Sequence, residues 1–177
     1  MDRNSLNRGF TLMELLAIMA VLGTLLAVAS PPLGRLLESF KASGTSHRLT
    51  TSLALARIAA IKRGHPVTVC PSRDGTQCTQ DGIWDEGWIV YADPGKQANP
   101  VAASDVLEAS EGAGNGISVL SSNHRTHVRF NPRGWSAGHN LTVELCGRRH
   151  GARRRLVLNN AGRPRIEHLS RHTPCPG

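Results

Sequence analysis

Two hydrophobic patterns divide the chain. Residues Phe10 to Ala29 form an almost unbroken apolar run with one charge, Glu14. A helix rises about 1.5 Å per residue, so this run spans roughly 30 Å, the thickness of a bilayer core. Arg3 and Arg8 precede it, and positive flanks stay on the cytoplasmic side, which directs the remainder of the chain outward. Pro31 and Pro32 follow, and a proline inside a helix removes a backbone donor and bends or breaks it. Residues 34–63 read as helix again. Leu49, Leu53, Ala56 and Ala60 recur at steps of four, three and four, which places them on one face, expected to pack on a globular domain. Gly64 and Pro66 end the helix.

Beyond Pro66 the segments shorten. Residues 66–70, 87–91, 104–109, 116–120, 126–131, 141–146 and 154–159 read as strands, with Gly, Pro, Asn and Asp between them. Residues 65–177 suffice for one modest core. The expected fold class is α+β: a long N-terminal helix with an antiparallel β-sheet domain laid on its end. There is no internal repeat and no long low-complexity tract.

Charge adds a second division. The net charge of +8 splits into +5 over residues 1–64, −4 over 65–145 and +7 over 146–177. An Arg-rich tail beside an acidic middle points to a polyanion partner for the tail. Four cysteines, Cys70, Cys78, Cys146 and Cys175, all lie beyond the apolar run. An even count outside the cytoplasm implies two disulfides. Three pairings exist, of which Cys70–Cys78 with Cys146–Cys175 is favoured because both close local loops. Zinc is the alternative, but there is neither a Cys-x-x-Cys pair nor a clustered set of histidines, so no metal is expected.

A secretory signal peptide is the competing reading of the apolar run, with Ala27-Val28-Ala29 as a weak cleavage site. Glu14 weighs against it, because a carboxylate inside an apolar run costs about 2.5–3.5 kcal/mol on insertion scales and needs a partner. Gly9-Phe10-Thr11-Leu12-Met13-Glu14-Leu15, behind a short basic leader and ahead of the apolar run, resembles the N-terminus of type IV pilins. The resemblance implies cleavage after Gly9 by a prepilin peptidase, N-methylation of Phe10, and pairing of Glu14 with the new α-amino group of a neighbouring subunit. It also implies a division into a leader (1–9), a transmembrane and filament-core helix (10–30), the second half of that helix (31–64) and a globular domain (65–177). The partners implied are other major and minor pilins and the inner membrane. The location implied is a bacterial inner membrane crossed once, with the globular domain in the periplasm, and outside the cell once assembled.

Further motifs narrow the resemblance to the group holding the minor pilin FimT and the type II secretion pseudopilin GspH. They are Ala56-Arg57-x-x-Ala60, Val67-Thr68-Val69-Cys70-Pro71-Ser72, Asp74-Gly75 with Cys78 and Trp84, and Gly87-Trp88-Ile89-Val90 with Asp93. Phe130-Asn131-Pro132-Arg133-Gly134 fits the group's Phe-x-Pro-x-Gly element. Gly162-Arg163-Pro164-Arg165 resembles the Gly-Arg-x-Arg motif of its DNA-binding members. Pro164 departs from a strand-forming residue. It cannot donate to a sheet ladder, which places the motif in a loop or at a strand edge.

The basic tail consists of Arg148, Arg149, Arg153, Arg154, Arg155, Arg163, Arg165 and Arg171. Guanidinium binds phosphate in bidentate fashion, which ammonium cannot match. The first seven of these are the candidate DNA contacts. A merely solvated loop, or anionic lipid or cell-wall polymer as the partner, are the other readings. No Phe, Tyr or Trp lies between residues 136 and 177. The tail therefore lacks the stacking platforms that single-strand binders use. Contact with the phosphates of double-stranded DNA, with little sequence preference, is expected. The eight histidines are scattered; His150, His168 and His172 sit among the arginines and could add charge at acid pH. Trp84, Trp88 and Trp135 are read as core or domain-edge packing residues rather than ligand-stacking ones. No nucleophile triad, P-loop or paired-carboxylate signature is visible, so the chain is read as non-enzymatic and without cofactor. Three functions fit: capture of extracellular DNA for transformation, a structural part in type II secretion, and priming of pilus assembly.

The mature chain is expected to begin at Phe10. Mass spectrometry of the protein from membranes checks this, and any other N-terminus contradicts it. Glu14→Ala is expected to leave the domain folded while lowering incorporation into filaments.

Overall fold

The computed structural model describes residues 10–122, 125–148, 151 and 153–169, with the backbone alone for 28–32. One helix, α1 (Leu12–Arg63), carries the first third of the chain. Thr11 caps its N-terminus: its side-chain oxygen accepts the backbone N–H of Glu14 at 3.2 Å. Gly64, in the left-handed region, closes the C-terminus by donating to the carbonyl of Ala60.

Of the expected bend or break at Pro31 and Pro32, there is no break: the helix is continuous through both. Each proline forfeits one backbone donor, a local loss that uninterrupted turns on both sides carry across. Every described side chain from Phe10 to Ala27 is exposed. No helix among the described residues is long and apolar enough to cross a membrane.

Eight strands follow: β1 (Val67–Pro71), β2 (Gly87–Ala92), β3 (Val106–Glu111), β4 (Ile117–Ser121), β5 (Val128–Phe130), β6 (Leu141–Gly147), β7 (Arg153–Leu158) and β8 (Pro164–His168). They form two four-stranded antiparallel sheets, in the orders β3-β2-β1-β5 and β4-β6-β7-β8. Seven of them match the expected strands to within about two residues. The eighth, β8, begins at Pro164 itself. It is an edge strand and Pro164 is its first residue, two positions in a sheet where a residue without an N–H is tolerated.

The expected helix face is the floor of the core. Leu49, Leu53, Ala56 and Ala60 are buried together with Val67, Val69, Trp84, Trp88 and Phe130 of the first sheet region, and with Leu141, Val143, Leu145, Leu156 and Leu158 of the second. Ser52, one of the buried polar residues of α1, is satisfied on both sides. It accepts from Trp88 Nε1 at 2.9 Å and donates to Glu108 Oε1 at 2.6 Å. The far face of the first sheet has a smaller cluster of Cys70, Ile89 and Tyr91, flanked by Cys78 and Val106.

Cys70 and Cys78 form the expected disulfide, which clamps the loop after β1. Cys146 is also disulfide-bonded; its expected partner Cys175 lies outside the described residues. Replacing Cys70 and Cys78 by serine is expected to lower the unfolding free energy by about 2–4 kcal/mol, measured by denaturant titration. The wild-type chain unfolded without reductant is expected to show no reactive thiol.

Candidate nucleic-acid interface

The Gly-Arg-x-Arg segment straddles the β7–β8 hairpin: Gly162 and Arg163 close its turn, and Pro164 and Arg165 open β8. The carbonyl of Asn159 accepts the N–H of Gly162 at 2.9 Å, and its side-chain Oδ1 accepts the N–H of Arg163 at 3.0 Å. Gly162 has φ +71°. A Cβ there would stand 2.6 Å from the carbonyl oxygen of Gly134 and 3.0 Å from the Phe130 ring. Both its left-handed backbone and its lack of a side chain are therefore used.

This contact joins two motifs that are distant in sequence. Phe130 and Gly134 are the first and last residues of the Phe-x-Pro-x-Gly element, and both touch Gly162. Ser136 adds two bonds, its N–H to the carbonyl of Asn160 at 3.0 Å and its hydroxyl to that of Asn159 at 2.9 Å. Arg57 of α1 donates through Nη1 to the carbonyl of Gly162 at 3.1 Å. Helix, loop 131–136 and hairpin turn thus form one unit, with exposed Arg133 and Arg163 adjacent in sequence to the touching glycines.

The candidate arginines divide sharply. On the outer face of the second sheet, Glu144 takes Arg153 at 2.9 Å and Arg155 at 2.7 Å. Arg155 in turn lies 3.9 Å from Glu167, which holds Arg165 at 2.8 Å. Strand register makes this ladder: Glu144 lies opposite Arg155, and Arg155 opposite Glu167. The Arg153 side chain is 2% exposed and does not reach the surface. Arg148 is exposed and paired with Asp85 at 3.0 Å. Arg154 reaches His168 at 3.4 Å across the hairpin. Arg163 is exposed, and among the described residues no ion pair holds its guanidinium. Arg165 is tethered but 64% exposed. Arg149 and Arg171 lie outside the described residues.

A groove of about 160 Å³ opens beside loop 131–136, lined by Pro66, Lys96, Arg129, Asn131, Trp135, Ala137 and His139. Trp84 and Trp88 are buried as expected, but Trp135 is 54% exposed. Below the groove, Asp93 is buried and accepts from Arg129 Nε at 2.7 Å, from Thr68 Oγ1 at 2.7 Å and from the N–H of Gln97 at 2.6 Å. Tyr91, next to this network, is pushed up to about 12 by burial and by the Asp93 charge. His127 and His139 face each other with ring centroids 5.0 Å apart. Burial, and after it the positive neighbours, hold both below the usual histidine range, His139 at about 4.

At the other end of the molecule, Phe10 and Glu14 are exposed at the start of α1. Gly9 lies outside the described residues.

Comparison with known proteins agrees with this architecture. The family model described as type II transport protein GspH matches residues 45–162. The prokaryotic N-terminal methylation motif matches residues 4–30. The chain is 28% identical over 165 residues to the pilin-like protein PilA1 of Thermus thermophilus, covering 90% of this chain and 98% of that one. Its fold resembles the type IV minor pilin FimU of Pseudomonas aeruginosa, with TM-score 0.55, 18% identity, and coverage of 71% of this chain and 91% of that one. It also resembles the minor pseudopilin EpsH of the Vibrio cholerae type 2 secretion system, with TM-score 0.52, 11% identity, and coverage of 72% and 97%. The GspH match ends at Gly162, so it includes the glycine of the turn and stops before Arg163 and Arg165.

The two histidines generate a prediction with a definite sign. Their folded pKa values lie below the unfolded 6.5, so the unfolded chain binds more protons in acid. Their contribution is intact above about 6.5 and is lost as pH falls towards about 4. The thermal midpoint is expected to fall over that window, and His139→Asn to flatten the fall; an unchanged slope in the variant contradicts the assignment.

Proposed function

Because this chain belongs to the GspH family of type IV pilin-like proteins, we propose that it is a minor pilin that captures extracellular double-stranded DNA for uptake in natural transformation. The observation that carries this reading is the hairpin that exposes Arg163 in its turn and Arg165 at the start of β8. The turn is locked by Gly162 against Gly134 and by Arg57. Rigid placement reduces the ordering cost of each contact. Arg133 lies on the adjoining loop, Arg148 and Arg154 are further contacts, and Arg153 is left out because it is buried. Contact is to phosphate, with little sequence preference.

The N-terminal half completes the reading. The chain is processed after Gly9 by a prepilin peptidase and N-methylated at Phe10. Residues 10–30 hold it in the inner membrane with the globular domain in the periplasm, and it then joins other pilins through the same helix, Glu14 pairing with a neighbour's new N-terminus. The exposed apolar face from Phe10 to Leu26 supports this, since large exposed apolar patches mark interaction or membrane surfaces. The role is one of binding and assembly rather than catalysis. The second reading, a pseudopilin with a structural part in type II secretion, is favoured by the GspH family match and the EpsH-like fold.

The test is a salt titration of duplex DNA binding by the full chain in mild detergent. With about four phosphates engaged, log affinity is expected to fall against log salt with a slope of roughly −3.6. Arg163→Gln with Arg165→Gln is expected to flatten the slope to about half. A double variant that binds like wild type at every salt concentration removes these two arginines from the site. Absence of binding by either protein at low salt favours the secretion reading.

A further inference from the structure

Trp135 is the exposed tryptophan of the domain. More than half of it is exposed, although the ring is the largest apolar side chain available and two other tryptophans in the domain are fully buried. Its backbone is nonetheless fixed. Asn131 Oδ1 accepts the N–H groups of Arg133 at 2.9 Å and Trp135 at 3.1 Å, and the N–H of Asn131 donates to the carbonyl of Trp135 at 2.9 Å. The following residue, Ser136, is bonded to the turn that carries Arg163. A tightly tied loop therefore holds a tryptophan ring in solvent beside the basic tip.

The surroundings of the ring select its ligand. The groove it lines contains Lys96, Arg129, Asn131 and His139, with only Pro66 and Ala137 as small apolar neighbours. An apolar protein partner seated there would bury these polar groups without partners, which is costly. A planar base with a phosphate on either side fits both features. The base offers a face to the indole and groups for Asn131 to bond, while the phosphates meet Lys96 and Arg133. Lys96 is exposed and belongs to the turn after β2, where its N–H donates to the carbonyl of Asp93 at 3.2 Å.

We propose that Trp135 is a base-stacking residue, and that the groove beside it takes an unpaired nucleotide, so that the protein binds single-stranded or frayed DNA more tightly than duplex. This rests on the DNA reading of the hairpin tip and extends it. In a closed duplex the bases are stacked on one another and their faces are hidden from Trp135. The phosphates remain available to Arg163 and Arg165 in both forms.

The experiment measures fluorescence anisotropy of a labelled oligonucleotide, as single strand and as duplex, with full chain in mild detergent. Trp135→Ala is expected to weaken single-strand binding about tenfold, within the range for one stacked base, and to leave duplex binding unchanged. Trp135→Phe is expected to restore most of the loss, because it keeps an aromatic face. Arg163→Gln with Arg165→Gln is expected to weaken both forms alike and keep their ratio. A thermal melt of each variant separates loss of binding from loss of fold. If Trp135→Ala binds single strand as well as wild type, or weakens both forms equally, the stacking role is overturned while the phosphate site stands. If the wild type binds neither form at low salt, the DNA reading itself is overturned and the stacking role with it.

Discussion

The structure depends on the contact between the inner face of α1 and the two sheets. Ala42, Leu49, Leu53, Ala56 and Ala60 are fully buried there, and three of the five are alanines. Small side chains bring the helix close to the strands of both sheets, so that one helix face completes a core shared by eight strands. Isolated helices are marginal in water, and most helical stability in proteins comes from packing an apolar face. The C-terminal half of α1 has such a face and a domain to cover it. The N-terminal half has an apolar surface that no described residue of its own chain covers, as the exposure of Phe10, Leu12, Met13 and their neighbours to Leu26 records. The same element is therefore a finished structural part at one end and an unfinished one at the other, which is the design expected of a subunit that assembles through its helix.

The same helix reaches the basic tip. Arg57 lies one residue beyond core Ala56, and its guanidinium ties down the carbonyl of Gly162. The Ala56-Arg57-x-x-Ala60 pattern, the Phe130–Gly134 element and the turn at Gly162 are thus three sides of one junction. Away from it, the tail's positive charge is largely spent inside the protein. Glu144 and Glu167 alternate with Arg153, Arg155 and Arg165 across three strands. Cross-strand pairing of opposite charges supports the sheet, while Arg163 at the turn has no ion pair among the described residues.

What could be read in advance was what is local. The helix face, the stop at Gly64, seven of the strands and the Cys70–Cys78 bridge each rest on spacing within about a dozen residues. Pro164 hid β8, because its missing donor argues against a strand until the strand is known to be at an edge. The Arg153–Glu144 and Arg155–Glu167 pairs were invisible because they follow from register across β6, β7 and β8, which no spacing along the chain encodes. The His127–His139 contact and the exposure of Trp135 depend on how the β5–β6 connection folds back on the hairpin. A run of arginines gave the sign of the partner but not which guanidiniums could reach it. Burial removes Arg153, and the locked turn selects Arg163.

On the proposed reading, a site of two to four guanidiniums has a characteristic physics. Each exposed contact is screened by salt and stands against displaced counterions, so one subunit alone holds duplex DNA weakly. A long polyanion offers the same phosphate geometry repeatedly, and a filament or tip complex can present more than one basic site to it. Once one site is engaged, the next meets DNA at an effective concentration set by their separation rather than by bulk solution, and overall affinity rises without any new kind of contact. Weak, sequence-blind sites on a shared scaffold also release one phosphate at a time, which suits a ligand that must slide as it is drawn inward. The two ends of α1 are then linked in function as well as structure: the apolar half sets how copies are spaced, and spacing sets how much a modest cluster of arginines can hold.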